Sequence, residues 1–492
     1  MSTTNLHMYA LAAPLLTAFF VNIFGRRSAR VVTTLVLGAL SLAALTSLAL
    51  LVRVLQSGAF SYTVGNWKPP YGIELYIDPM CALMLLLINL VALAAASAAL
   101  KSTAQELPGR QHLFFTLYLI LIAGLMGLSM SADAFNLYVL LEITSITSYG
   151  LIAMGRGRAV LSSFNYVIMG SIGACFYLLG VGYFYILTGS LNMADIASII
   201  PGLQAGAALS TAFAFLMVGL LVKMAFFPLH GWLPNAYSHA PTGAGVMMAP
   251  LMTKVTVFLL IRLRFLMFPP EYEFFTRLEI RSLLVWAAAV AIVCASALAL
   301  AQRDLRRMLT YILIAEVGYM VGGFWLANLQ GMTGTMLHIV NDALMTLCLF
   351  LVAAAIVYRT GSLSFDSLQG LYRRMPVTMA AFTVGAFSMI GVPPTCGFFS
   401  KWYLILGGVE AGQWGYVAAL VFSSLVNAVL FFRIIEIAYF RTGHGQEAPQ
   451  LAEAPLMILK PLVLTAIALI AVGLGTGPLV SGIIRLSIPG GF

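Results

Sequence analysis

The stretch Val218-GLLVKMAFFPLHGWLPNAYSHAPTGAGVMMAPLMTKVTVFLLIRLR, closing at Arg264, decides how this chain is read. It places Lys223 in the middle of an apolar helix, which Pro228 then breaks. A short amphipathic connection follows, carrying His230, Trp232, Pro234, His239 and Pro241. A second apolar helix carries Lys254, again mid-span. A lysine at bilayer depth costs about 2.5–3.5 kcal/mol on insertion scales, and the flanking residues give neither lysine a water-facing side. Two such lysines beside a broken helix are the pattern of an ion path.

Composition carries that reading to the whole chain, which is 61% hydrophobic and 9% charged. These proportions exclude an ordinary soluble domain and predict an all-α, polytopic membrane protein whose solvent is the lipid bilayer. The net charge of +9 is scattered over short loops, so nucleic acid is not an expected partner. Cys81, Cys175, Cys294, Cys348 and Cys396 form no C-x-x-C pair, so neither a metal site nor a disulfide framework is expected. With no nucleotide motif and no pairing of haem ligands, the chain is expected to bind no cofactor and to hold no catalytic chemistry of its own. The N-terminus lacks the basic region and cleavage site of a signal peptide, and its first apolar run is expected to stay as a helix.

The apolar runs predict fourteen transmembrane helices, at about 8–25, 31–55, 81–100, 112–130, 132–154, 160–188, 209–228, 241–266, 282–301, 309–329, 331–358, 376–408, 413–440 and 458–484. Together they make a single membrane domain. It divides into an N-terminal part (1–111), a first repeat (112–266), a second repeat (282–440) and a C-terminal part (441–492). Arginines gather in the loops after odd-numbered spans: Arg26, Arg27 and Arg30; Arg156 and Arg158; Arg303, Arg306 and Arg307; Arg359, Arg373 and Arg374. The even loops are poor in positive charge, except after span 8, where Arg277 and Arg281 face Glu271, Glu273 and Glu279. The positive-inside rule then sets the odd loops in the cytoplasm and both termini outside a cell membrane.

A faint internal repeat is visible. Span 7 holds Gly219-Leu-Leu-Val-Lys223 and span 12 holds Gly397-Phe-Phe-Ser-Lys401, and both carry mid-membrane prolines, Pro228 in one and Pro393 and Pro394 in the other. The two motifs lie five spans apart, so they run in opposite directions through the bilayer, the pattern of inverted repeats with broken helices.

The remaining intramembrane charges complete the candidate set. Glu142 is mid-helix in span 5 with no opposite charge within a turn, so its partner is expected from another helix, and Lys223 is predicted to approach it. The plain structural alternative is a static ion pair locking two helices. Asp133 lies near the outer end of the same span. Glu316 is on span 10, and His338 and Asp342 share one face of span 11 at i, i+4. Asp342 is expected to orient His338, with Glu316 as an additional stop. A buried histidine merely satisfied by its neighbour is the bland reading of that pair. His230 sits in the span 7–8 connection, where access to the path or helix capping both account for it.

These stretches resemble the antiporter-like subunits shared by respiratory complex I, membrane-bound hydrogenases and Mrp-type cation/proton antiporters. The resemblance rests on Lys223-MAFFPLHGWLPNAYSHAPTGAG through Lys254 and Arg262, on Ala132-DAFNLYVLLE ending at Glu142, and on Gly391-VPPTCGFFSKW with Lys401. The outer loop Val64-GNWKPPYGIELYIDPM looks most like that of the D-type subunits of the Mrp group. The resemblance implies fourteen helices with spans 4–8 and 9–13 as inverted five-helix repeats, other membrane subunits as partners, and a proton path through Glu142, Lys223, Lys254 and Lys401. This sequence departs from the family where many relatives carry a lysine on span 11, since Thr346 stands there, and where Glu316 replaces a neutral or histidine residue. The central relay is therefore expected to use His338, Asp342 and Glu316. Two machines fit: a multisubunit antiporter exchanging H+ for a cation such as Na+, or a proton-pumping module of a redox enzyme. A purely structural scaffold would leave the intramembrane charges unexplained.

Overall fold

The computed structural model describes residues 5–203, 206–268, 272, 278–441 and 452–488. Most of the connections expected at 267–281 and 441–457, with Glu271, Glu273 and Arg277, lie outside the described residues.

The first four helices are α1 (Leu6–Phe24), α2 (Ala29–Ser57), α3 (Pro79–Glu106) and α4 (Gln111–Met130). Next come α5 (Ala134–Ala153), α6 (Ala159–Thr188), the short α7 (Met193–Ile199), α8 (Ala207–Lys223), the short α9 (Leu233–His239) and α10 (Thr242–Leu266). The second half runs α11 (Leu278–Leu300), α12 (Leu305–Trp325), α13 (Leu329–Thr360), α14 (Pro376–Ile390), α15 (Cys396–Glu410), α16 (Trp414–Tyr439) and α17 (Leu456–Leu474). Among the described residues, 12 helices are long and apolar enough to cross a membrane. The two expected spans missing from that set are the proline-broken ones: 209–228 is represented by α8, which stops at Lys223, and 376–408 by the shorter α14 and α15.

Layering follows from burial. The helices α10, α12 and α13 are almost entirely enclosed by the others, while α1, α6 and α17 turn much of their surface outward. Outward Leu, Phe and Ile side chains such as Phe19, Leu45 and Leu464 are what lipid requires. The connection 56–80 is more ordered than the sequence suggests. Strands β1 (Phe60–Thr63) and β2 (Glu74–Ile77) pair antiparallel within it. Asp78 caps α3 by accepting from the Cys81 N–H at 2.7 Å and is held by Arg262 of α10 at 2.8 Å, so the hairpin is tied to the innermost helix.

Both breaks expose backbone groups that membrane spans must satisfy internally. In the first, Ala225 takes a left-handed φ of 57°, and the indole of Trp232 donates to the Val222 carbonyl at 3.2 Å. In the second, Gly391 has φ 95°, and the Met389 carbonyl accepts from the Asn427 amide at 3.3 Å. The two lysines sit on opposite sides of their breaks: Lys223 ends α8 before its break, whereas Lys401 lies in α15 after its own. The G-x-x-x-K motifs are thus not equivalent positions.

A better internal match lies elsewhere. Thr188-Gly-Ser-Leu191 closes α6 and Thr360-Gly-Ser-Leu363 closes α13. Gly189 and Gly361 both adopt φ 72°. Thr188 donates to Phe184 O at 2.7 Å and Thr360 to Ile356 O at 2.9 Å. Leu191 O accepts from the first N–H of α5, and Leu363 O from the first N–H of α12, each at 2.9 Å. Those helices are capped by Asp133 and Asp304, whose side chains accept from Asn136 N and Arg307 N. The same hydrogen-bonded corner is built twice, five spans apart.

Buried ion pairs as the candidate functional site

Helix α5 presents Glu142 and, one turn on, Ser145 toward the C-terminal end of α8. There the Lys223 ammonium donates to Glu142 Oε1 at 2.9 Å and to Ser145 Oγ at 2.7 Å. The lysine side chain is 4% exposed and the glutamate 25%. This is the expected pair, with Ser145 added. The signal for Ser145 was its i, i+3 spacing from Glu142. Three residues further, Ser148 Oγ lies 3.8 Å from Met252 Sδ of α10, next to the second centre.

That second centre is Lys254, wholly enclosed in α10. Its ammonium lies 2.7 Å from Asp342 Oδ2 of α13, and neither side chain has any exposure. It also donates to Ala249 O at 3.2 Å and to Thr346 Oγ1 at 3.4 Å. Thr346 in turn donates to Asp342 Oδ1 at 2.9 Å. The residue read as a lost lysine is therefore the hydroxyl that binds both members of the pair. Asp342 does not orient His338, contrary to expectation. Residues four apart on a helix are offset by about 40° around its axis, enough for α10 to take Asp342 while α12 takes His338.

The third centre joins Glu316, His338, Ser400 and Lys401. His338 Nε2 lies 2.5 Å from Glu316 Oε2, and Nδ1 lies 2.9 Å from Ser400 Oγ. Ser400 can also donate to Gly397 O at 3.3 Å. The hydroxyl lets the ring hold either proton count. It donates to Nδ1 when that nitrogen is bare, and it turns to Gly397 O and accepts when Nδ1 carries a proton. Glu316, expected as an optional stop, instead sits between the histidine and Lys401, whose ammonium lies 3.9 Å from Glu316 Oε1. Nothing in one sequence pairs spans 10 and 12, so only the structure could find this contact.

Two candidates stand apart from these centres. Asp133 accepts from Asn136 N at 2.6 Å as the cap of α5 and belongs to the corner described above. Burial raises its carboxyl from the ordinary range, opposed by the N–H groups of Asn136 and Phe135. His230 stacks on Phe227 with ring centroids 5.0 Å apart inside the first break, not against any of the three centres. Among the described residues, no group of three or more His, Cys, Asp or Glu side chains is arranged to hold a metal ion. Thr253 Oγ1, Thr333 Oγ1 and Asn341 Oδ1 are buried with no hydrogen-bond partner among the described residues.

Broken spans around a series of enclosed acid–base pairs define a multi-pass membrane protein that keeps charge inside the bilayer. More particularly, the chain belongs to the NADH:quinone oxidoreductase/Mrp antiporter transmembrane family, whose pattern it matches over residues 131–427. It is 40% identical over 499 residues to NADH-quinone oxidoreductase subunit N of Desulforudis audaxviator (strain MP104C), covering 99% of each chain. It is 29% identical over 471 residues to the D-type Na(+)/H(+) antiporter subunit of Alkalihalophilus pseudofirmus (strain ATCC BAA-2126 / JCM 17055 / OF4), covering 94% of this chain and 93% of the relative. Among solved structures, a chain of the membrane-bound sulfane sulfur reductase, an archaeal respiratory membrane complex, superposes with a TM-score of 0.91 at 30% identity over 98% of this chain and 97% of its own. The relatives are subunits of multisubunit membrane complexes.

Proposed function

We propose that this chain moves protons across a cell membrane, as one subunit of a multisubunit cation/proton antiporter. The observation that carries the reading is that every basic centre is enclosed beside a carboxylate: Lys223 with Glu142, Lys254 with Asp342, and His338 and Lys401 sharing Glu316. A charge arriving at one centre repels its neighbour's proton strongly in a poorly screened interior. In the proposed order, protons pass Lys223, Lys254, His338 and Lys401. Buried hydroxyls and amides without partners among the described residues give water molecules places to bridge the gaps. Asp133 and His230 are set aside as a cap and a break residue.

We also infer that the duplicated corner at Thr188–Leu191 and Thr360–Leu363 marks two copies of one unit, inverted across the membrane, with both termini on the outer side. A second reading, a proton-pumping subunit of a redox-driven complex, is favoured by the 40% identity to subunit N. The test is proton movement by the assembled complex in sealed vesicles. Lys254→Ala and Lys401→Ala should each stop it, and normal rates in either would overturn the path. If a NaCl step drives acidification in the parent and an electron donor supplied with an oxidised quinone does not, the antiporter reading stands. The reverse result gives the second.

A further inference from the structure

The break between α14 and α15 gathers an unusual set of groups around the Lys401 ammonium. It donates to Met389 O at 2.7 Å and approaches Ile390 O at 3.5 Å and Ser424 Oγ at 3.4 Å. Met389 and Ile390 are the last residues of α14, so these carbonyls stand at the negative end of a helix dipole with no following turn to bond them. Glu316 Oε1 lies 3.9 Å from the same nitrogen, fully buried and with no hydrogen-bond partner among the described residues. The face of Tyr319 is 5.1 Å from it. Gly391 lets the lysine reach this place, since a Cβ there would come within 3.3 Å of Lys401 Cδ.

We propose that this break is a site for a free monovalent metal cation such as Na+, at present filled by the tethered ammonium of Lys401. Two carbonyl oxygens at a helix C-terminus, a hydroxyl and a carboxylate are the donors that alkali ions take in broken membrane helices. An ammonium uses the same lone pairs. The pocket offers one carboxylate, and its other oxygen is engaged by His338. It therefore balances one positive charge, and the lysine and a free cation exclude one another. That exclusion is the elementary coupling an antiporter needs, and it places the cation partner of the exchange at the far end of the proton line. The inference rests on the antiport reading for its purpose but not for its test.

The test measures equilibrium binding of 22Na+ to the purified assembled complex, with choline chloride holding ionic strength. Lys401→Met removes the tethered cation but leaves the Glu316 carboxylate, and should bind Na+ at least tenfold more tightly than the parent. Adding Glu316→Gln to it should abolish the gain, and adding Ser424→Ala should weaken it several-fold. A Lys401→Met complex that assembles and melts like the parent yet binds no more Na+ overturns the site. Should Lys401→Met fail to assemble, Ser424→Ala alone decides. Its dissociation constant for 22Na+ must rise several-fold over the parent's, and an unchanged value overturns the proposal. Binding is read without transport, so its failure is separate from failure of the proton path, which Lys254→Ala reports.

Discussion

Asp342→Asn is the sharpest perturbation the structure offers. Among the described residues it removes the one carboxylate paired with Lys254, while keeping size and a side-chain carbonyl. The pair is 2.7 Å apart with both side chains at 0% exposure, so after the change the ammonium keeps Ala249 O at 3.2 Å and Thr346 Oγ1 at 3.4 Å. Leaving one member of a buried ion pair without its partner costs about 3–5 kcal/mol. Thermal unfolding of the purified complex should show that cost as a clear drop in the melting midpoint of this subunit, and proton movement in vesicles should fail.

A second variant tells a lock from a relay. Lys254→Met combined with Asp342→Leu replaces the pair by apolar groups of similar volume, a change that is often neutral or stabilising by about 1–4 kcal/mol. It should restore the melting midpoint and leave transport dead. If the double variant transports protons, Lys254 and Asp342 only hold α10 against α13. If Asp342→Asn melts and transports like the parent, the pair as described does not exist in the working protein.

Other outcomes follow from the same geometry. Glu142→Gln keeps a hydrogen-bonding group at 2.9 Å from Lys223 but not the charge, so the complex should assemble, seen on a sizing column, and lose transport. Lys254→Arg retains the charge but barely releases protons; transport equal to the parent would make Lys254 a fixed charge only. Gly473→Ala would press a methyl to within 2.1 Å of Pro394 O at the second break and should lower thermal stability and expression together. Asp133→Asn should keep the α5 cap and remove a pH dependence. Because the folded carboxyl titrates above its unfolded value, its contribution is full below the unfolded pKa and is lost as pH rises through the folded one. Melting midpoints of parent and variant, compared across that acid window, should diverge as pH rises.

How much was legible in the sequence depended on the range of the signal. The broken spans were readable because proline acts on its own helix, and Pro228 and Pro393–Pro394 do lie in the interruptions. The pair Glu142–Lys223 was readable because the sequence offers Glu142 no nearer opposite charge. What failed was lateral assignment. Asp342 and His338 share a face, and the i, i+4 rule joined them, but rotation about the helix axis gives them to different neighbours. Thr346 looked like a deletion because a sequence shows the missing ammonium and not the hydroxyl geometry that replaces it. The duplicated T-G-S-L corner is present in the letters, yet it is neutral apart from its capping aspartates, so a repeat traced through charges passes it by.

The placement of carboxylates gives the proposed line its logic. If Glu142, Asp342 and Glu316 are ionised and the three lysines charged, the line is electrically balanced with His338 neutral. One further proton then has no compensating carboxylate of its own. Of the two kinds of base in the line, imidazole is the one whose charge ordinarily changes near neutrality. His338 is also held through a hydroxyl, Ser400 Oγ, that can turn to serve either protonation state. The histidine lies between the Lys254–Asp342 pair, one turn along α13, and Lys401 across Glu316. In the proposed relay, a proton passing His338 weakens Glu316's hold on Lys401, because one carboxylate cannot fully balance two cations. The ammonium is then pushed toward the Met389 and Ile390 carbonyls it already contacts. A centre that loads and a neighbour displaced by the loading are the two parts the proposed stepwise relay requires, and Glu316 is the carboxylate that contacts both.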